Sequence, residues 1–397
     1  MYYLIIFFIL LAFASLECLN INRTSQTILL IIGASITCLT AGLRYETGGD
    51  WDIYSTIFNE IHTSPISFGR VADLEIGYLT INIIVKCLGG SLQTVYFIIS
   101  IVNTILLMIC LEVYIPRRKL LGLLIYYSIF FFALDMIYTR QSTSLLICLY
   151  AVQYIKRRKL AKYIALIAVA YLFHRMALLM LPVYFIADKH ISNKIAMIVT
   201  AIGMVIMGTN TDWFIPLYLK VSSMLGDVYY EKALYYISNE QFAVARTISI
   251  GFFLNAFLLV IFIWRRKDIE KNKYGNTFFN LYIASLVIYY YFYELIEVSM
   301  RIRFYFFIAI IFLFPMIVEN AKSIINRIML MILLYAYSLA YNRHIMFEQP
   351  AGAAYNPYQN YLIYKITGKK STGTERLNKS ISITKEERAE NNKEQDE

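Results

Sequence analysis

Charge is scarce in this sequence. Only 16% of its 397 residues are Asp, Glu, Lys or Arg, against 59% hydrophobic, and the mean hydropathy is +0.55. A soluble chain of this length needs far more polar residues to clothe its surface, so a soluble globular protein is excluded. Period-two alternation is missing from the apolar runs, which excludes a transmembrane barrel. What remains is an all-α, polytopic membrane protein, because backbone groups in lipid must satisfy one another within helices. The five cysteines (Cys18, Cys38, Cys87, Cys110 and Cys148) lie in apolar stretches without metal-type spacing and read as small core residues. Also absent are a Ser-His-Asp set, a metal-ligand cluster, a phosphate-cradling Gly-rich loop, a repeated Asp-based site and an internal repeat. No metal or cofactor is expected. The N-terminus has neither the basic region nor the small-residue cleavage site of a removable signal, so the first segment is expected to stay as a span.

What is present is a series of apolar runs. They predict about twelve spans, at 2–19, 28–43, 92–112, 120–138, 141–155, 161–173, 175–187, 195–209, 246–264, 277–298, 303–320 and 324–341. The net charge of +10 sits mostly in short turns between these runs, where it sets orientation rather than marking a nucleic-acid partner. Arg117-Arg118-Lys119, Lys156-Arg157-Arg158-Lys159 and Arg265-Arg266-Lys267 are expected in the cytoplasm. Loop 44–75 carries six acidic residues against Arg44 and Arg70 and is expected outside. Segment 76–89 is expected at the outer interface, as an amphipathic helix or re-entrant piece, because a full span there would put Arg117-Arg118-Lys119 outside. That makes 44–91 one outer region and 210–245 the other. Parity also requires 161–187 to be two short spans meeting near His174, an arrangement that lines polar cavities. Residues 1–364 are read as the transmembrane domain. Residues 365–397 are charged, nearly without aromatics, and predicted to be disordered.

Ionisable residues at membrane depth usually line a cavity or pathway. Arg44, Arg140, His174, Arg175, Arg301 and Arg303 all fall at outer ends of the predicted spans. A single arginine there ordinarily snorkels to the interface. A set of them runs against the positive-inside bias and calls for a counter-charge, which either a phosphate or the carboxylates Glu46, Asp50, Asp52 and Glu297 would supply. His174 could act as a base, because the unperturbed imidazole titrates near working pH, although a lone intramembrane histidine more often simply satisfies hydrogen bonds. Trp51 and Tyr54 have faces that can stack on sugar rings.

Gly42-Leu43-Arg44-Tyr45, followed by Gly49-Asp50 and Tyr54, resembles the signature of EpsG-type polysaccharide polymerases, a branch of the Wzy O-antigen and capsule polymerases. Further matches follow in order. They are Glu75-Ile76-Gly77-Tyr78, Leu88-Gly89-Gly90, Arg140-Gln141, then Lys162-Tyr163 with Ala170, Phe173-His174 and Leu181-Pro182, and finally Arg301 to Tyr305 and Asn356-Pro357-Tyr358. The resemblance covers about residues 1–364. Two departures stand out: Arg175 replaces a usual small residue, and Gly48-Gly49 replaces a single glycine with a small partner.

The resemblance implies a GT-C-like glycosyltransferase in the bacterial cytoplasmic (inner) membrane. Such an enzyme joins oligosaccharide repeat units carried on undecaprenyl diphosphate, at the outer face and without a nucleotide sugar. Its products are O-antigen, capsule or exopolysaccharide. It implies Arg44, Arg140, Arg301 and Arg303 as diphosphate-binding, and His174 or Asp50 as the base that takes the acceptor hydroxyl proton. Membrane lipid is an expected partner, and the resemblance admits a chain-length regulator and a flippase of the same pathway. Two rival readings are an O-antigen ligase and a non-enzymatic lipid-linked oligosaccharide flippase or transporter. Transporters often show two related halves and midplane polar residues, neither of which is evident here.

Overall fold

The structure is a computed structural model that describes residues 1–19, 21–61, 74–238, 245–246, 248–321, 324–347 and 351–383. Arg70, Asp73, residues 239–244 of the second outer region and residues 384–397 of the tail lie outside the described residues. The longer helices are α1 Tyr2–Cys18, α2 Arg23–Gly42, α3 Trp51–Glu60, α4 Ile76–Cys87, α5 Leu92–Tyr114, α6 Lys119–Tyr126, α7 Thr139–Ala151, α8 Leu160–Tyr171, α9 Asn193–Gly208, α10 Phe214–Leu225, α11 Asp227–Ser238, α12 Ile250–Trp264, α13 Gly275–Tyr291, α14 Ile296–Phe307, α15 Ile310–Glu319, α16 Ile324–Phe347 and α17 Tyr361–Thr367. Among the described residues there is no sheet, only one antiparallel bridge between Arg44 and Asn360.

Among the described residues, three helices are long and apolar enough to cross a membrane: Arg23–Gly42, Leu92–Tyr114 and the run Ile296–Glu319. Nine further apolar helices among the described residues are shorter, at 10–17 residues. A span needs about 20 residues, so the count of twelve full-length spans does not emerge from the helices themselves. The apolar runs are interrupted where hydropathy gives no sign. The run at 120–138 passes through a π-turn, Tyr127–Phe131, and its helix stops at Leu134. The run at 277–298 stops at Tyr291. The chain is nonetheless an all-α, multi-pass membrane protein.

The chain forms two compact units. The first holds the described residues of Met1–Ala151, Ile164–Leu178 and Ala321–Glu397. Here α2 packs on α5, and α1 on α6. Gly33 lets α2 also approach α1 and α6, since a Cβ there would lie 2.9 Å from Leu10 Cδ2 and 3.1 Å from Leu123 Cδ2. At one end, the buried Glu17 carboxylate accepts from the Leu120 and Leu121 amides at 3.0 and 3.1 Å, capping α6. Arg118 donates to the Glu17 carbonyl at 2.7 Å.

The second unit holds Val152–Tyr163 and Leu179–Asn320. Its basic turns gather at one end. Lys156 and Arg158 pair with Asp188 at 2.5 and 3.2 Å. Asn276 donates to the Asp188 carbonyl, and Asn320 to the Asp268 carbonyl, at 3.2 and 3.1 Å. Elsewhere in this unit, Glu294 accepts from the amides of Trp213, Phe214 and Ile215 at 3.0, 2.6 and 2.9 Å. That carboxylate caps α10 and ties its start to the turn after α13. Residues 214–238 of the expected outer loop 210–245 form two helices, α10 and α11, joined at Gly226.

Orientation is testable at the second basic turn. The Arg158 side chain is 68% exposed. With Arg158→Cys in a cysteine-free background, a membrane-impermeant maleimide is expected to react only after the cells are opened. Labelling from outside intact cells would overturn the orientation.

Candidate functional site

In the first unit, five sequence motifs that are distant along the chain meet. The Arg44–Gly48 segment runs beside the segment that follows α16. Tyr45 N donates to Gln359 O at 2.8 Å, Tyr361 N to Leu43 O at 2.8 Å, and Gly48 N to Ala354 O at 3.1 Å. Tyr358 donates to Thr40 O at 3.0 Å and stacks on Tyr2 at 4.2 Å. Gly48 has φ of +104°, and a Cβ there would lie 2.6 Å from Met136 O. A side chain is therefore excluded at Gly48. Gly49 has only Ile137 nearby, at 3.8 Å. Gly48→Ala is expected to cost about 1–3 kcal/mol, read as a lower unfolding temperature in detergent, while Gly49→Ala stays near the parent. Equal temperatures for the two variants would contradict this account of the turn.

The turn delivers Asp50 to the N-terminus of α3 without a side-chain cap bond. Asp50 interacts electrostatically with Tyr96 and Tyr355. One turn into α3, Tyr54 is buried against Tyr78 of α4 and Tyr96 of α5, with centroids 5.6 and 6.2 Å away. Tyr54 was expected to offer a face to sugar, but these rings occupy its surroundings and leave it 5% exposed. Trp51 is half-buried. Lys86 of α4 donates to the carbonyls of Phe58, Asn59 and Ile61, closing the C-terminus of α3.

Two arginines flank this tyrosine cluster. Arg44 lies 3.9 Å from the Tyr96 ring centre. Its Nη1 donates to Ala41 O at 2.8 Å, its Nε has no protein partner, and the residue is 1% exposed. Arg140, the second residue of α7, pairs with Glu75 at 2.5 Å, and its guanidinium lies about as far from the Tyr54 ring (6.0 Å) as from the Tyr78 ring (5.9 Å). Its side chain keeps 27% exposure, while Glu75 keeps 8%.

The break at His174 adjoins Arg140. Helix α8 ends at Tyr171, and the chain resumes as a 3₁₀ helix, Arg175–Met180. Gly77 N donates to Leu172 O at 2.7 Å. Ser144, one helical turn beyond Arg140, donates to the His174 carbonyl at 3.4 Å. His174 is half-buried and Arg175 exposed.

Arg301 and Arg303 belong to the second unit. They were expected in a turn between two spans, yet both lie within α14, because helix starts again at Ile296 immediately after the Glu294 turn. Arg301 lies 3.9 Å from Glu297. Arg303 donates to Asn255 Oδ1 at 2.5 Å and lies over Tyr289 and Phe307, at 4.5 and 4.0 Å. Arg246 lies over the same Tyr289 ring at 4.1 Å.

Sequence reading passed over several members of these clusters. Glu75 was one of the acidic residues of an outer loop, and Tyr78 and Tyr96 were lost among 34 tyrosines. Asp135 is an intramembrane carboxylate accepting from Tyr126, Ser142 and Asn103 at 2.8, 3.0 and 3.2 Å. A carboxylate inside the apolar run 120–138 was the signal that would have found it. Among the described residues, no group of three or more His, Cys, Asp or Glu is placed to hold a metal ion.

The tail also reaches the site. Residues 373–383 are helical, against the expectation from composition. Arg376 is 7% exposed, and burial lowers its guanidinium from the usual value without removing the charge. No curated protein and no solved structure matches the chain. Residues 27–360 match the EpsG family, and the chain belongs to that family, which is linked to exopolysaccharide synthesis.

Proposed function

We propose that the protein is a polysaccharide polymerase, a GT-C-like glycosyltransferase of the bacterial cytoplasmic membrane. It joins undecaprenyl-diphosphate-linked oligosaccharide repeat units at the outer face. The observation that carries this reading is the meeting of Arg140, the buried Arg44 and the His174 break around one tyrosine cluster, in a chain of the EpsG family.

An acceptor sugar hydroxyl attacks the anomeric carbon of the donor chain. The bond from that carbon to the diphosphate oxygen breaks, and lipid diphosphate leaves with the electron pair. The leaving group gathers negative charge as it departs, so a fixed cation beside it lowers the barrier. Arg140 is the residue with both the charge and the exposure to touch it. Arg44 is too buried for direct contact and instead supplies a fixed positive field and closes the end of α2 at the Ala41 carbonyl. His174 takes the hydroxyl proton. Asp50, at the partly exposed start of α3, orients the acceptor. In the second unit, Arg303 and Arg246 share the Tyr289 ring as a separate cationic cluster, while Arg301 keeps to Glu297.

Polysaccharide from a deletion strain tests this reading. Polymerase loss leaves single repeat units in place of long chains. Loss of all attachment with chain length retained on the carrier would indicate a ligase instead.

A further inference from the structure

We propose that the segment Ser371–Arg376 is a strap that locks the Glu46–Gly48 turn onto the Ala354–Gln359 segment, which makes Arg376 a positioning residue of the candidate site. The segment lies beyond the matched residues 27–360, and its charged composition gives no hint of a packed role.

The contacts converge from both sides of the turn. Arg376 Nη2 donates to Glu46 O at 2.8 Å and to Thr47 Oγ1 at 3.3 Å. Its Nη1 donates to Pro357 O at 2.8 Å and to Ala354 O at 3.5 Å. A guanidinium presents five donors as a rigid planar fork, so one side chain holds two backbone segments in a fixed geometry that a compact, freely rotating ammonium sets less strictly. The residues before it add to the tie. Ser371 donates to Gln359 Oε1 at 2.6 Å, and Gln359 donates to Thr372 Oγ1 at 2.5 Å. Gly373 lies directly on Glu46, where any Cβ would stand 2.4 Å from the Glu46 Cβ. Thr47 is fully buried beneath this cover.

The turn held in this way carries Arg44 at one end and Asp50 at the other. Strap and turn therefore lie on the same side of the membrane, and any outer-face chemistry at the turn includes the tail. Fixing two backbone segments narrows the geometry in which Asp50 and the start of α3 meet substrate, which is how a residue outside the site governs turnover. The catalytic consequence rests on the polymerase reading. The structural one does not.

The test has two arms. In a cysteine-free background, Thr47→Cys is labelled with a membrane-impermeant maleimide on intact cells. Labelling is expected to be slow with the full chain, and at least tenfold faster with Arg376→Ala or with the chain ended after Gly368. Arg376→Lys should fall between, and Lys379→Ala, exposed on the same helix, should match the parent. In the second arm, purified protein elongates lipid-linked repeat units. Arg376→Lys is expected to lower kcat at least tenfold with KM for the donor little changed. Equal labelling rates with and without Arg376, at matched folded protein, overturn the strap. Faster labelling with unchanged kcat overturns the positioning role alone. Normal strap behaviour in a protein that never polymerises overturns the proposed function and leaves the strap standing.

Discussion

His174→Gln is expected to fold and to bind lipid-linked substrate like the parent, yet to turn over about two to four orders of magnitude more slowly, the usual reach of general base catalysis. The location supports this. His174 follows the end of α8, its carbonyl is pinned by Ser144, and it is half-buried beside the helix break. An imidazole there accepts a proton from an attacking hydroxyl without a charge first having to be desolvated. Asp50 stands at the partly exposed N-terminus of α3, at the end of the Gly48 turn, where its side chain can meet an acceptor. Asp50→Asn is accordingly expected to act through substrate positioning. Rates and binding measured with purified protein and lipid-linked repeat units separate the two. Near-normal turnover in His174→Gln, with Asp50→Asn inactive but still binding, would exchange the two roles.

Arg140 separates charge from geometry. Arg140→Lys keeps a cation beside Glu75 and is expected to fold, but loses the bidentate fork. Its rate is expected to fall about 10²–10³-fold, the scale of losing one well-placed donor to developing negative charge. Arg140→Ala carries a further cost, because Glu75, 8% exposed, is left without its partner. Stranding a buried ion costs about 3–5 kcal/mol, so this variant should unfold at clearly lower temperature in detergent. Restoring neutrality with Glu75→Gln should recover much of the stability and none of the rate. An Arg140→Lys protein as active as the parent, at equal folded amount, would remove Arg140 from the leaving-group site.

The helical, membrane-bound character was legible from the apolar runs, and so was the interruption near His174, which parity alone demanded. The start of α5 falls on the predicted span start because hydropathy and capping agree there, with Ser91 forming a capping box with Thr94, whereas α2 begins more than a turn before its predicted span, at the cap where Asn22 accepts from Ser25 N. The break at Phe292–Leu295 was hidden, since its residues are as apolar as their neighbours apart from Glu294, whose role appears only when three amides of another segment converge on it. The pairing of the Arg44 turn with Asn356-Pro357-Tyr358 was equally hidden. The two lie more than 300 positions apart, and a single sequence carries no signal of contact over that distance. The tail misled for a related reason. Low hydrophobicity forbids an independent core, but Arg376 needs no core of its own when carbonyls of a folded turn accept its hydrogen bonds.

The central claim is chain growth from lipid diphosphate donors without nucleotide sugar. The direct measurement uses purified protein in liposomes, supplied only with undecaprenyl-diphosphate-linked repeat units and read by mass spectrometry over time. The account predicts a ladder of lipid-linked products differing by whole repeat units, with one undecaprenyl diphosphate released for each linkage formed. Repeat units that stay single in the presence of folded protein, or a ladder that appears only when nucleotide sugars are added, would contradict it.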